Sequence, residues 1–356
     1  MRHILVTGGA GFIGSNFIPY FLRKYPNYSI VNLDLLTYAG SLDNLSEVKD
    51  HPRHIFVQGN ICDRDLVEHL FNTYNLEGVI HFAAESHVDN SIKNPSVFIE
   101  TNVNGTFTLL DVAYKYWMDA PFKYKDKFLG NGTLTPLKTE IQLSLPRFHH
   151  ISTDEVYGTL NETDLFTEET SYAPNSPYSA SKASSDMLVR SYQHTYGLNT
   201  VITNCSNNYG PKQHNEKFIP TIIRKCLAGE PIPVYGDGKN IRDWLYVLDH
   251  CKGVDLVYHI GEEGNVYNIG GRNERTNLQI VDTICNILDE TVPIDTNQSI
   301  QHYKDLMVFV QDRAGHDQRY AIDASKIEHN LGWKAEHSFK DGIMATIKWY
   351  LEKYNV

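Results

Sequence analysis

The sequence predicts an α/β protein built on a doubly wound parallel sheet, and three observations carry that prediction. A short apolar run, residues 2–7, leads into a glycine-rich turn between Gly8 and Gly14 that opens a helix reaching about Lys24. Further apolar runs of strand length alternate with segments of helix length through the first 204 residues. An acid, Asp34, closes the second run 20 residues after Gly14. Strand and helix in regular alternation imply parallel strands covered by helices on both faces.

The elements follow in order. Residues 29–34, 54–58, 78–83, 147–153 and 199–204 are further short runs of strand length built around apolar residues, as the strands of a parallel sheet require. Helices fall between them at 63–74, 95–116 and 177–196. The last is the best punctuated, with Ser176 as N-cap, Pro177 as first residue and Gly197 as stop. After Cys205 the chain turns to loops rich in Gly, Pro and Asn, and a smaller domain begins there. Residues 244–249 and 266–270 read as strands returning to the first sheet, before helices at 277–288 and 339–354. The expected division is therefore interleaved: 1–204 with 241–272 bind a nucleotide, and 205–240 with 273–356 form a C-terminal substrate domain. Residues 119–145 lack periodicity and read as a surface excursion rather than a lid.

Charge and composition exclude several functions. With 43 acidic against 32 basic side chains the formal charge is −11, which disfavours nucleic acid and anionic membranes as partners. No apolar run approaches the ~18 residues of a membrane span, and Ile4-Leu5-Val6 opens the chain without a leader pattern, so the expected location is the cytoplasm. The five cysteines never form a Cys-x-x-Cys pair, so neither a disulfide framework nor a metal site is expected.

Gly9-Ala10-Gly11-Phe12-Ile13-Gly14 satisfies G-x-G-x-x-G, and Gly8, Gly11 and Gly14 add a three-residue spacing. Between a strand and a helix, such glycines let a pyrophosphate approach unpaired N–H groups at the helix start. Asp34 then suits a ribose hydroxyl and repels the extra phosphate of NADP, so NAD is the expected cofactor and the fold is Rossmann-type. Tyr178 and Lys182, four residues apart, share a helix face. A neighbouring ammonium is the kind of group that brings a tyrosine down from about 10 towards neutrality and makes it a base.

Glycine turn, Tyr178 and Lys182 together resemble the extended short-chain dehydrogenase/reductase superfamily, and more narrowly its nucleotide-sugar 4,6-dehydratases. That narrower resemblance rests on His81-Phe-Ala-Ala-Glu-Ser-His87, Ser152-Thr-Asp-Glu-Val-Tyr-Gly158, Asn204-Cys-Ser-Asn-Asn-Tyr-Gly-Pro211, Tyr235-Gly-Asp-Gly-Lys-Asn-Ile-Arg-Asp-Trp244 and Asp312-Arg-Ala-Gly-His-Asp317. It implies a homodimer built from the 95–116 helix and the helix of Tyr178, with dTDP-glucose as substrate. The implied lyase reaction oxidises C4, eliminates water across C5–C6 and returns the hydride to C6. Two adjacent carboxyl groups can divide acid and base work, because each ionised group raises the other's pKa. By resemblance Asp154 is the acid, Glu155 the base at C5, Tyr178 the base at the C4 hydroxyl, Thr153 its hydrogen-bond partner and Lys182 the holder of the nicotinamide ribose.

The resemblance also places Phe12, Ile13, Leu35, Leu36, Thr37, Asn60, Ile61, Phe82, Ala83, Ala84, Ser86, Thr101 and Asn208 around NAD, beside Gly8, Gly11, Gly14 and Asp34. It places Ser86, Thr153, Asn207, Glu216, Lys217, Tyr235, Arg242, Asn277, Arg313 and His316 around the nucleotide sugar. Arg242 and Arg313 suit bidentate phosphate contacts, and Tyr235 offers a face to a pyrimidine. Asn60 stands where the family usually has an aspartate, so its amide oxygen would meet the adenine amine. Two alternatives stay open: a nucleotide-sugar 4-epimerase, which has no use for the Asp154–Glu155 pair, and a non-catalytic nucleotide sensor, which does not need Tyr178 or Lys182.

Overall fold

A computed structural model describes residues 1–129, 145–161, 163–294, 300–312 and 317–356. Its centre is a seven-stranded, all-parallel sheet of order β12-β8-β7-β4-β1-β2-β3. The first half contributes β1 (Arg2–Thr7), α1 (Phe12–Lys24), β2 (Tyr28–Asp34), β3 (His54–Gln58), α2 (Arg64–Tyr74) and β4 (Gly78–His81). There follow α3 (Val88–Lys93), α4 (Pro95–Phe98) and α5 (Thr106–Trp117), then a hairpin of β5 (Met118–Ala120) and β6 (Lys123–Tyr124). After it come β7 (Arg147–Thr153), α6 (Pro177–Tyr196) and β8 (Thr200–Cys205). Strand order reverses between β1 and β4, and a crevice opens there beyond the carboxyl ends of the strands.

Alternation along β1 fixes the two layers. Ile4 and Val6 pack with Phe17 and Phe21 of α1, whereas Leu5 faces the side of Val67 and Leu70 of α2 and Leu109 of α5. The helix carrying Tyr178 and Lys182 has the expected ends. Ser176 and Ser179 exchange side-chain-to-backbone hydrogen bonds, each at 3.0 Å, and Gly197 closes the helix in the left-handed region at φ 68°.

The rest of the chain contributes α8 (Val247–Ile260), β12 (Val266–Ile269) and α10 (Ser325–Leu331) to the central layer, and a smaller part comprises β9 (Asn207–Tyr209), α7 (Phe218–Leu227), β10 (Ile232–Tyr235), β11 (Ile241–Tyr246), β13 (Glu274–Thr276), α9 (Asn277–Thr291), β14 (Met307–Val310), β15 (Arg319–Tyr320) and α11 (Phe339–Tyr354). Ile222, Ile223, Ile280, Ile284, Ile343 and Ile347 form its core.

Two expectations change. The strand expected at 244–249 ends at Tyr246 and lies in the four-stranded sheet with β9, β13 and β15; α8 and β12 make the return to the central sheet. The helix expected over 95–116 contains a π-helical stretch, Ile99–Gly105, where the Thr106 hydroxyl donates to the Asn102 carbonyl at 2.6 Å. The described part of the 119–145 segment lies far from the crevice: Phe122 N–H donates to the Tyr196 carbonyl at the far end of α6 and Tyr124 accepts from Asn199 N–H ahead of β8. The rest of that segment, 130–144, is outside the described residues.

Candidate active site

The glycine turn shows which of its members the fold requires and which leaves room. A Cβ on Gly8, whose φ is +71°, would lie 2.6 Å from Ala83 N, and one on Gly14 would lie 2.4 Å from the Gly8 carbonyl. A Cβ on Gly11 would meet only the Gly8 carbonyl, at 3.3 Å. Gly11 is the N-cap of α1 and brings no side chain to its unpaired N–H groups, so an anion can reach them. Asp34 faces the same turn, accepting from Ala10 N–H and Leu36 N–H at 2.8 Å each. Carboxylate lone pairs remain for a ribose.

One cleft brings the predicted cofactor residues together. Gly8, Gly11, Phe12, Ile13 and Gly14 line it at one end with Asp34, Leu35, Thr37, Asn60 and Ile61. Phe82, Ala83, Ala84, Ser86, Thr101, Tyr178, Lys182 and Asn208 continue it. Leu36 is outside the lining and holds Asp34 through its backbone. The Asn60 side-chain oxygen already accepts from Cys62 N–H at 2.9 Å. Buried oxygens of Asn207, Asn208 and Gln213, all in the lining, have no hydrogen-bond partner among the described residues, which fits a polar ligand. A dinucleotide therefore fits the glycine turn, Asp34 and these amides.

The acid pair stands in the same cleft. Thr153 ends β7, and Asp154 and Glu155 begin a tight turn whose first N–H, that of Glu155, donates to the Thr153 hydroxyl at 3.3 Å. Asp154 is 2% exposed, and its Oδ2 has no hydrogen-bond partner among the described residues. Burial raises its pKa well above the ordinary carboxylate range, and the charges of Glu155 and Asp243 add to the effect. Its surroundings accordingly favour the neutral acid over the carboxylate. A solvated surface turn, the ordinary fate of an Asp-Glu pair, is excluded.

Tyr178 does not behave as expected. Burial pushes its phenol well above its usual range, and Glu155 and Cys205 act the same way. The Lys182 ammonium instead donates to the Ile151 carbonyl at 2.8 Å and faces His150 Nε2 at 3.3 Å. Burial lowers Lys182 to about 8, opposed by Asp186.

The substrate residues divide. Ser86, Thr153, Asn207 and Lys217 line the cleft, with Lys217 donating to the Ser86 carbonyl at 2.8 Å. Glu216 lies beside them near His87 and His214, while Tyr235 on β10 and Asn277 at the start of α9 lie outside the lining. Arg242 is not presented for a bidentate phosphate contact: it stacks on Tyr320 at 4.3 Å and donates to the carbonyls of Ile241 at 2.7 Å and Asp317 at 2.8 Å. Pairing of β11 with β15 brings the Asp317 carbonyl, just ahead of β15, within its reach. Arg313 and His316 are outside the described residues.

Asn102 was not anticipated. Its side chain accepts from Glu85 N–H at 2.8 Å and donates to the Glu85 carbonyl at 3.0 Å and the Ser181 hydroxyl at 2.8 Å, fixing the loop after β4 against α6. It lies within the π stretch.

A doubly wound sheet with a glycine turn at its switch point, an acid closing β2 and a Tyr-x-x-x-Lys helix across the crevice defines an extended short-chain dehydrogenase/reductase. The family described as GDP-mannose 4,6 dehydratase matches residues 5–346. A dTDP-glucose 4,6-dehydratase from Neisseria meningitidis serogroup B is 51% identical over 99% of this chain and 94% of its own. Crystal structures of dTDP-glucose 4,6-dehydratases from Streptomyces venezuelae and Bacillus anthracis, both solved with NAD, are each 42% identical. Their TM-scores are 0.84 and 0.83, covering 99% and 100% of this chain and 98% of each of theirs. The chain belongs to the dTDP-glucose 4,6-dehydratase family.

Proposed function

We propose that the protein is an NAD-dependent hydro-lyase that converts dTDP-glucose to dTDP-4-keto-6-deoxy-glucose. The observation that carries this reading is Asp154, a buried carboxylic acid with an unpartnered oxygen, standing next to Glu155 in the cleft shared with Tyr178 and Lys182. A 4-epimerase reverses one carbinol centre and needs neither group.

Bound NAD supplies the hydride acceptor for C4 and, once reduced, the donor for C6. Tyr178 takes the proton of the C4 hydroxyl, with the Thr153 hydroxyl bonded to the same oxygen and Lys182 holding the nicotinamide ribose. The C4 ketone acidifies the C5 hydrogen, which Glu155 removes. Asp154 gives its proton to the departing C6 oxygen, a role that its raised pKa suits near neutrality. Ser86, Asn207 and Lys217 hold the sugar and diphosphate within the cleft, and Glu216, Tyr235 and Asn277 complete the nucleotide side. The cofactor residues are those of the glycine turn, Asp34 and the lining described above. The names of the relatives, their bound NAD and the orphaned amide oxygens of the cleft support this assignment.

The working form is a homodimer. Exposed Ile99, Phe107 and Met187 on the π stretch, α5 and α6 supply the kind of apolar face that a second copy covers. All five cysteines are free, which suits the cytoplasm. The test is mass spectrometry of dTDP-glucose and UDP-glucose after separate incubation with the purified protein. Loss of one water from dTDP-glucose supports the reading; unchanged mass with altered configuration, or inertness, refutes it.

A further inference from the structure

Below the cleft, α6 carries a third polar residue on the stripe of Tyr178 and Lys182. Asp186 follows Lys182 by one turn and does not line the cleft. Its Oδ2 accepts from the Ser152 hydroxyl at 2.8 Å and the Tyr172 phenol at 3.0 Å. Its Oδ1 stands 3.2 Å from His150 Nε2, outside hydrogen-bond geometry, and has no hydrogen-bond partner among the described residues. The same Nε2 is 3.3 Å from Lys182 Nζ. All three side chains are buried, Asp186 at 2% exposure and His150 at none.

His150 Nε2 has hydrogen-bond geometry with the Lys182 ammonium and not with Asp186 Oδ1. Bare, it accepts from Lys182, which also donates to the Ile151 carbonyl. The neutral ring therefore stands between the ammonium, at 3.3 Å, and the carboxylate, at 3.2 Å, and cancels neither charge.

A buried ammonium persists only beside an opposite charge. The titratable groups facing Lys182 are Tyr178 and Asp186 on α6, His150 on β7, His81 on β4 and Cys205 on β8, with Glu155 beyond Tyr178. Burial drives both imidazoles towards neutrality and holds the Cys205 thiol up at about 12. Asp186 is left as the counter-charge within the fold.

We propose that Asp186, facing Lys182 across the His150 ring, is the positioning residue that keeps the Lys182 ammonium charged inside the protein and so sets the pH range in which Tyr178 can take the sugar proton. The catalytic half of this statement rests on the dehydratase reading; the charge relation does not.

The test follows the lysine directly. Protein labelled with carbon-13 at lysine Cε is titrated by NMR, and the Lys182 signal is assigned by its loss in Lys182→Met. The midpoint should lie near 8 in the parent and about one pH unit or more lower in Asp186→Asn. A midpoint unchanged in Asp186→Asn would overturn the proposal. If that variant does not fold, the reciprocal measurement decides: Lys182→Met should move the Asp186 carboxyl, which titrates near 6, upward by a similar amount, and no movement overturns it. With dTDP-glucose, Asp186→Asn should shift the alkaline limb of kcat down by about one unit while leaving KM within about twofold, as a merely structural defect would not. A parent protein inert towards dTDP-glucose refutes the functional reading and leaves the NMR result standing.

Discussion

The carboxylate of Asp34 accepts a hydrogen bond from the Ala10 amide at 2.8 Å, tying the end of β2 to the glycine turn 24 positions earlier. One side chain therefore shapes the anion site and lines the cleft where the ribose is proposed to bind. Asp34→Ala should weaken NAD binding about tenfold or more by calorimetry, the equivalent of ~1.4 kcal/mol, and narrow the preference for NAD over NADP. Unchanged selectivity would remove Asp34 from the ribose site.

Gly11 and Gly14 should fail in different ways. Gly14→Ala drives a methyl group against the Gly8 carbonyl and should lower the melting temperature of the ligand-free protein. Gly11→Ala meets a single atom at 3.3 Å, so it should melt close to the parent while losing NAD affinity. Differential scanning calorimetry and titration of NAD separate the two; equal losses of stability would contradict the assignment of Gly11 to ligand approach.

The burial of Asp154 as an acid makes stability depend on pH. Its folded pKa lies above the unfolded value near 3.9, so the folded state binds the extra proton in the window above that value, and stability falls as pH rises through it. Asp154→Asn, which cannot ionise, should unfold at higher temperature than the parent at pH 7, with the advantage shrinking towards pH 4. A variant less stable than the parent at neutral pH would show that Asp154 is not held neutral.

Replacing either proposed base should stop the reaction at a different stage. Tyr178→Phe should slow the first oxidation by about 10²–10⁴-fold. Glu155→Gln should still permit slow hydride transfer from C4, visible as absorbance of reduced cofactor in a single turnover, but release no water. Normal turnover by Glu155→Gln would exclude it as the essential base.

The features most legible in the sequence are local ones. Ser176, Pro177 and Gly197 bound α6, and the glycine turn, Asp34 and the Tyr-x-x-x-Lys pair are set by spacing along single elements. What escaped depends on contacts between elements. Arg242 is turned away from solvent because pairing with β15 brings the Asp317 carbonyl to it, and Tyr246 ends its strand in the smaller sheet rather than the central one. Asp186 was available from its four-residue spacing to Lys182, but its meaning requires His150 from β7 to stand between the two charges. The downward shift expected for Tyr178 assumed that proximity to Lys182 outweighs burial; here burial and Glu155 dominate.

Conversion of dTDP-glucose carrying deuterium at C4, run in ordinary water and again in deuterated water, measures the proposed division of labour most directly. The account predicts a product lighter by the elements of water, with the C4 label recovered at C6 and a solvent-derived hydrogen at C5. Label retained at C4 in a product of unchanged mass would contradict it.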